Sequence, residues 1–254
     1  ETDFVTLQDL GHSLKDCQRC RLSSGRTQVV FGTGNPNAGI MFVGEAPGFY
    51  EDKQGIPFVG AAGKLLNELL ESAGLSRTDI YIANVIKCRP PDNRDPLPDE
   101  VETCKPFLFQ QIELIKPKVV CTLGNFAMQT LLGKKIGIMK VRGQSFQVQD
   151  FFVFPLLHPA AALHQGNLNE SLREVFRKLK AFLDRQPEPA TPIEQIFCKQ
   201  NILSDIGGLI LGNNLILRHA HLESNFFKNF RLHRAADSDF QIRRFDDRSG
   251  ISVF

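Results

Sequence analysis

The chain lacks any apolar run approaching the roughly 18 residues that span a bilayer, so no membrane span is expected. It begins Glu1-Thr2-Asp3, polar and acidic, where an export signal would place a basic lead into an apolar stretch. No internal repeat is present, which sets solenoids and propellers aside. A strong net charge is also missing. Lys and Arg number 30 against 28 Asp and Glu, leaving +2 and a pI near 8.3. A polyanionic partner must then be met by a local basic face rather than by a global field. The six cysteines come without an export signal. They fit a reducing compartment and bound metal better than disulfides, and the expected location is the cytoplasm.

Residues 1 to about 185 alternate apolar strand-like runs with helix-like segments. Strands are expected at Gly39–Val43, Ile80–Ile86, Lys118–Leu123 and Phe151–Leu157. Helices are expected over Ala61–Ala73, from an Asp99 N-cap towards Ile115, over Asn125–Leu132 and over Leu172–Leu183. Pro106 should kink the second of these or lie in its first turns. Such alternation predicts an α/β fold, a three-layer α/β/α sandwich around a mostly parallel four-stranded sheet. After Arg185 the pattern stops. Residues 186–192 read as a proline-stiffened linker, so the expected division is a domain over 1–186 and an extension over 187–254. In that extension Phe226, Phe227 and Phe230 stand among Lys228, Arg231, His233 and Arg234, a mixture able to contact nucleic acid. A poorly ordered extension is the plainer reading of the same residues.

Two constellations carry chemistry. The first is Cys17-x2-Cys20 with Cys88 and Cys104. Four thiolates meeting in space can hold tetrahedral zinc or a [4Fe–4S] cluster, and spacing alone leaves both open. Scattered ligands suit the larger group better. Cys121, in a buried strand, reads as a core residue, and Cys198 as unliganded. Between Cys88 and Cys104 lies Arg89-Pro90-Pro91-Asp92-Asn93-Arg94-Asp95-Pro96-Leu97-Pro98, a rigid loop whose Arg89 and Arg94 can meet phosphates.

The second constellation is a set of strand ends: Gly44-Glu45-Ala46-Pro47-Gly48, Asn84, Gly124 and His158-Pro159. In open parallel sheets, ligands bind beyond the carboxyl ends of the strands. Phe58 offers a flat face to a planar base. An amide at Asn84 sets a donor beside an acceptor, suited to the edge of a pyrimidine.

With these residues in hand, the chain resembles the family 4 uracil-DNA glycosylases, the iron–sulfur members of their superfamily, over about residues 3 to 185. The motifs are Gly44-Glu45-Ala46-Pro47-Gly48 with Glu51-Asp52, Pro57-Phe58-Val59-Gly60, Asn84-Val85-Ile86-Lys87-Cys88-Arg89-Pro90-Pro91 and His158-Pro159-Ala160-Ala161. The resemblance implies an enzyme that hydrolyses the N-glycosidic bond of deoxyuridine in DNA. It implies a [4Fe–4S] cluster on Cys17, Cys20, Cys88 and Cys104, with a structural role. It implies a uracil site formed by Gly44, Glu45, Ala46, Glu51, Phe58, Asn84 and His158, with Glu45, Asn84 and His158 catalytic. Phe58 should stack on the base, Asn84 read its edge and His158 contact O2. Glu51 or Tyr50 should wall off the C5 methyl of thymine. DNA contacts are expected from Arg89, Arg94, Pro159, Ala160 and Leu163, on single- or double-stranded substrate. The expected molecule is a monomer working at a prokaryotic nucleoid.

Two departures from the pattern matter. Family members often carry leucine at position 162 and arginine at 164, where this chain has Ala162 and His164, so Leu163 becomes the wedge. The best-known branch of the superfamily orients its water with an aspartate, at a slot that here looks like Ala46. Two other readings remain. One is a module that binds uracil-DNA without turnover, or covalently through a histidine in an inserted basic loop; residues 89–98 contain no histidine. The other is a metal-dependent nucleotide hydrolase using Glu45, Glu51 and Asp52.

Overall fold

The four apolar runs become the parallel interior of a sheet. The computed structural model describes residues 6–185 and two segments of the tail, 230–234 and 240–244. The interior strands are β2 (Ile40–Gly44), β3 (Tyr81–Asn84), β4 (Val119–Leu123) and β6 (Phe151–Leu156), lying side by side as β3-β2-β4-β6. Their residues are almost all buried, as parallel strands covered on both faces require. The sheet has six strands rather than four. β1 (Thr33–Gly34) pairs antiparallel with β3, and β5 (Phe146–Val148) pairs antiparallel with β6. Elements of two and three residues carry no period-two signal, so the sequence pattern cannot reveal them.

Strand alternation sorts the side chains between the faces. Phe42, Ile80, Ile82 and Cys121 join the core under α3 (Ala61–Ser72) and α8 (Leu168–Asp184), where Phe42 stacks on Phe176. Tyr81 points the other way, towards Gln111 of α4 (Pro98–Ile115). Helix α1 (Leu7–Leu14) packs on α4 through Leu10, Leu14 and Phe107. The N-cap position of α4 is Leu97, not Asp99. Pro98 holds the residue before it in an extended conformation, and the Leu97 amide donates to the Glu100 carboxylate at 2.8 Å. Asp99 pairs instead with Arg21. Pro106 sits well inside this helix. Four short helices escape the sequence pattern: α1, α2 (Phe49–Gln54), α6 (Ile138–Val141) and α7 (Pro159–His164). Helix α5 (Asn125–Leu132) follows β4 as expected.

The chain divides into two units, Glu1–Phe197 and Cys198–Phe254. In the second, β7 (Phe230–Arg234) and β8 (Phe240–Arg244) form an antiparallel pair that the sequence reading did not include. The linker 186–192, Cys198, Phe226, Phe227 and Lys228 lie outside the described residues.

Within the first unit, β2 lies between β3 and β4, so the chain leaves β2 to one side and later returns to the other. In open α/β sheets such a reversal is where ligands bind, beyond the carboxyl ends of the strands.

Candidate active site

The parallel register sets Gly44 beside Asn84. Just past the strand the Val85 amide donates to the Gly44 carbonyl at 2.9 Å and the Ile86 amide to that of Glu45 at 3.1 Å. The Gly44–Gly48 loop is thereby fastened to the segment after β3. Asn84 is only 2% exposed, and its Oδ1 is buried without a hydrogen-bond partner. A buried polar atom of this kind costs about 1–3 kcal/mol unless something satisfies it. Gly44 marks where that atom points. A Cβ there would stand 2.4 Å from Asn84 Oδ1 and 2.8 Å from the Phe58 ring.

Phe58 is held in an unusual backbone conformation, φ +55°. Three contacts keep it there. The Arg77 guanidinium donates to the carbonyls of Pro57 at 2.7 Å and Phe58 at 2.8 Å, and to Asn67. Gly63 lets helix α3 approach so closely that a Cβ would fall 1.8 Å from the Phe58 carbonyl oxygen. The Glu51 carboxylate accepts from the amides of Gly48, Val59 and Gly60, clipping two loops together. Glu51 therefore faces backbone amides. Tyr50 is 60% exposed.

His158 follows β6 by two residues and packs against Gly124, whose Cβ would lie 3.2 Å from its own. Its ring centroid is 5.7 Å from that of Phe58. The Ala160 amide donates to Nδ1 at 3.1 Å, so a neutral imidazole carries its proton on Nε2. Burial pulls the pKa down to about 4, against a smaller upward pull from Glu51. Glu45 moves the opposite way, raised first by burial and then by Asp95.

Gly44, Phe58, Asn84 and His158 thus form one connected cluster at the strand ends, with Glu45 and Ala46 on the loop beside it. Pro159 and Ala160 open α7, and Leu163 on that helix is 50% exposed. Arg94 makes a two-pronged pair with the buried Glu100, at 2.9 and 2.6 Å, and so is committed within its own loop. Arg89 bonds Asn93 and lies 5.2 Å over the Phe49 ring. Arg77 and Gly63 escaped the sequence reading, and Lys87 stood there within a motif but without a role. Arg77 belongs to a polar turn that reads as solvated. Lys87 did leave a trace, as the lone cation at the end of an apolar run.

The cysteines gather on the α1–α4 side. Cys17, Cys20, Cys88 and Cys104 line one small cavity with Arg26, Lys87 and Phe107. Among the described residues no three His, Cys, Asp or Glu side chains are set to hold a single ion. Four thiols lining one space are a donor set that fits a [4Fe–4S] cluster. The surroundings suit thiolates too: Arg26 donates to Cys88 Sγ at 3.5 Å and the Lys87 amide to Cys104 Sγ at 3.3 Å. Burial, with a smaller push from the neighbouring thiols, raises both thiols, Cys88 to about 12, against the opposing pull of Arg26 on Cys88 and of Lys87 on Cys104. It pulls Lys87 down to about 8 against the opposing pull of Cys104 and Cys88.

The Gly44 contacts yield a first expected result. Gly44→Ala inserts a methyl between Asn84 and Phe58, an overpacking that costs about 1–3 kcal/mol. Melting should fall by about 2–4 °C per kcal/mol, and the rate of the chemical step by on the order of 10²-fold through misplacement. Differential scanning fluorimetry and single-turnover assays check the two effects separately. An unchanged rate would mean that the ligand does not enter here.

Residues 31–180 match the model of the uracil DNA glycosylase superfamily. A type-4 uracil-DNA glycosylase of Sulfurisphaera tokodaii is 46% identical, over 69% of this chain and 84% of that protein. Another, from Archaeoglobus fulgidus, is 45% identical over 68% of this chain and 92% of its own length. A type-5 enzyme of Pyrobaculum aerophilum falls to 31%, over 68% of this chain and 92% of its own. The motifs, the pocket and these identities agree: the chain belongs to the type-4 family of the uracil-DNA glycosylase superfamily.

Proposed function

We propose that this chain removes uracil from DNA by hydrolysing the bond between deoxyribose C1′ and uracil N1. The unpartnered Asn84 Oδ1 carries the reading. Uracil presents N3–H beside O4, the complement of a side-chain amide. Cytosine has no proton on N3 and an amino group at C4, so both hydrogen bonds are lost, a mismatch that a buried polar site penalises by 10⁴–10⁵-fold in comparable cases.

The base first leaves the duplex, at a cost of roughly a few kcal/mol. Leu163 serves as the wedge and Arg89 as a phosphate contact, while Pro159 and Ala160 bring α7 to the strand. Phe58 then stacks on the flipped base. As the C1′–N1 bond breaks, its electron pair goes to uracil and the charge spreads to O2 and O4. His158 Nε2–H donates to O2 as this charge develops. A donor that is strong only then lowers the barrier rather than merely binding substrate. The uracil anion takes up a proton from solvent. Water adds its oxygen to C1′, leaving an abasic site, and releases a proton. Glu45, whose raised pKa makes it a better base, accepts that proton.

Cys17, Cys20, Cys88 and Cys104 would hold a [4Fe–4S] cluster, which supplies a covalent tie between chain segments rather than chemistry at the base. The chain acts as a monomer at the nucleoid. Among the described residues no helix is long and apolar enough to cross a membrane.

A uracil-containing oligonucleotide followed by alkali tests the reading. Strand cleavage that needs both uracil and alkali, and persists in EDTA, is expected. Cleavage abolished by EDTA would favour the metal-dependent hydrolase, and binding without cleavage the module.

The domain division makes a further expected result. Among the described residues, the apolar clusters around Phe42 and around Leu10 are built from residues before Arg185, so a chain ending at Gln186 should keep its melting temperature and its rate. A weaker affinity with a shallower salt dependence would assign the basic–aromatic tail to DNA. Aggregation would show that the tail completes the fold.

A further inference from the structure

Lys87 is 2% exposed, and its side chain is among the largest that the fold buries completely. Among the described residues no carboxylate pairs with it. Its Nζ donates to the Asn84 carbonyl at 2.8 Å and to Gln111 Oε1 at 2.5 Å. Gln111, itself fully buried, is fixed in turn by donating to the Phe31 carbonyl at 2.8 Å. The backbone of the same lysine faces the cysteines. Its amide donates to Cys104 Sγ at 3.3 Å, its carbonyl accepts from Val30 at 2.8 Å, and the next residue is Cys88.

An ammonium is among the costliest groups to bury, several kcal/mol even after relaxation. An apolar side chain of the same length would fill the space without that penalty, so the donors themselves must matter here. β1 reaches only as far as Ile82 along β3. Beyond it, the Asn84 carbonyl takes its hydrogen bond from Lys87 Nζ. Fixing that carbonyl fixes the peptide plane after Asn84, and with it the direction in which the amide side chain enters the pocket.

We propose that Lys87 is a positioning residue that couples the cysteine centre to Asn84, so that the state of the centre sets the geometry of the uracil pocket. The coupling rests on the uracil reading above. Its path is short. In five consecutive residues the chain passes from the base reader, through two amides that fasten the Gly44–Gly48 loop, to a lysine bonded at both ends and then to a cavity thiol. Loss of the cluster frees Cys104 and Cys88, releases the Lys87 backbone and lets the Asn84 carbonyl turn.

The experiment compares full-length wild type with Lys87→Met, Gln111→Leu and Gln111→Glu. Iron content, backbone hydrogen exchange over residues 81–87 with 119–123 as internal reference, DNA binding and single-turnover excision are measured on each. Lys87→Met that retains iron should exchange faster over 81–87 alone. It should excise on the order of 10²-fold more slowly at nearly unchanged DNA affinity. Chelating iron from wild type should loosen the same segment, and chelation should add little in Lys87→Met. Gln111→Leu should reproduce part of the defect, and Gln111→Glu, which keeps an acceptor for Nζ but gives up the bond to the Phe31 carbonyl, should recover part of the rate. Iron-loaded Lys87→Met with wild-type exchange and rate overturns the proposal, as does chelation that leaves 81–87 unchanged in wild type. Where Lys87→Met does not fold, wild-type exchange in Gln111→Leu overturns it equally. A wild type that releases no uracil refutes the glycosylase reading instead, and the exchange measurements still decide the role of Lys87.

Discussion

Replacing His158 with alanine should slow uracil release by on the order of 10²–10³-fold in single-turnover assays, the usual loss for one donor aimed at developing charge. DNA affinity should change little, because the bond to O2 strengthens only as the leaving group gains charge. Asn84→Ala should differ in kind. It removes the group that reads the neutral base, so discrimination against cytosine falls along with the rate. The pH dependence separates His158 further. With its pKa near 4, the imidazole is already neutral across the working range, so its contribution should be flat from about pH 6 upward and fade only as the pH nears 4. Stability follows the same group. The folded pKa lies below the ordinary 6.5, so between those values the unfolded chain binds more protons. Stability therefore rises with pH through that window and is complete above it. Glu45, raised in the fold, slopes the other way. The difference in melting temperature between wild type and His158→Ala, followed from pH 4 to 7, isolates the histidine. A His158→Ala protein that cleaves at the wild-type rate would move the role to the amides of the Gly44–Gly48 loop.

Replacing Cys88 with alanine should remove the iron and most of the folded protein. Cys88 closes a site that joins three stretches distant in sequence: the end of α1 with Cys17 and Cys20, the segment after β3, and α4 through Cys104. Among the described residues, Leu10, Leu14 and Phe107 form a small buried core there, with Val29, Phe31 and Leu114 packed against it, so the cysteine site adds a large share of what binds α1 to the rest. Metal binding at such a site is folding free energy. Wild type should carry about four irons per chain and a brown colour, as a [4Fe–4S] cluster requires, and Cys88→Ala close to none. Cys121→Ala is the control: that thiol is fully buried in the opposite core, and its loss should leave the iron in place. One zinc per chain and no visible absorbance in wild type would replace the cluster with a zinc site.

Why the sequence revealed some parts and hid others follows from signal length. β2, β4 and α5 carry five to eight apolar-patterned residues, enough for periodicity to show. The ends of β3 and β6 showed the candidate site, because Asn84 and His158 are polar residues where a buried run stops. The cysteines announced themselves by chemistry. Hidden were the interactions made by backbone. Arg77 works on two carbonyls and Glu51 on three amides, and no residue pattern encodes which carbonyl or amide will come near. Glu51 in particular read as part of the uracil site, whereas its carboxylate is turned to the loops that shape that site. The start of α4 differs for a related reason: Asp99 has the chemistry of a cap, but Pro98 sets the backbone so that the cap falls two positions earlier, at Leu97.

The short strands β1 and β5 have a bearing on the molecule in a crowded cell. A parallel sheet of four strands with bare flanks would offer two long templates for another chain to pair with, the usual route to aggregates. Here the flanks are two and three residues long and run against their neighbours. At Gly34, φ is +127° and a Cβ would strike the Ile80 carbonyl oxygen at 2.1 Å, so the backbone there is pressed against the sheet in a shape that a side-chain-bearing residue rarely adopts. At the other flank Gln149, just after β5, also has positive φ, turning the chain back at once. Among the described residues, neither margin presents a flat ribbon for a passing strand to extend. The sheet is bounded by its own chain, and an incoming polymer must approach by the open strand ends instead.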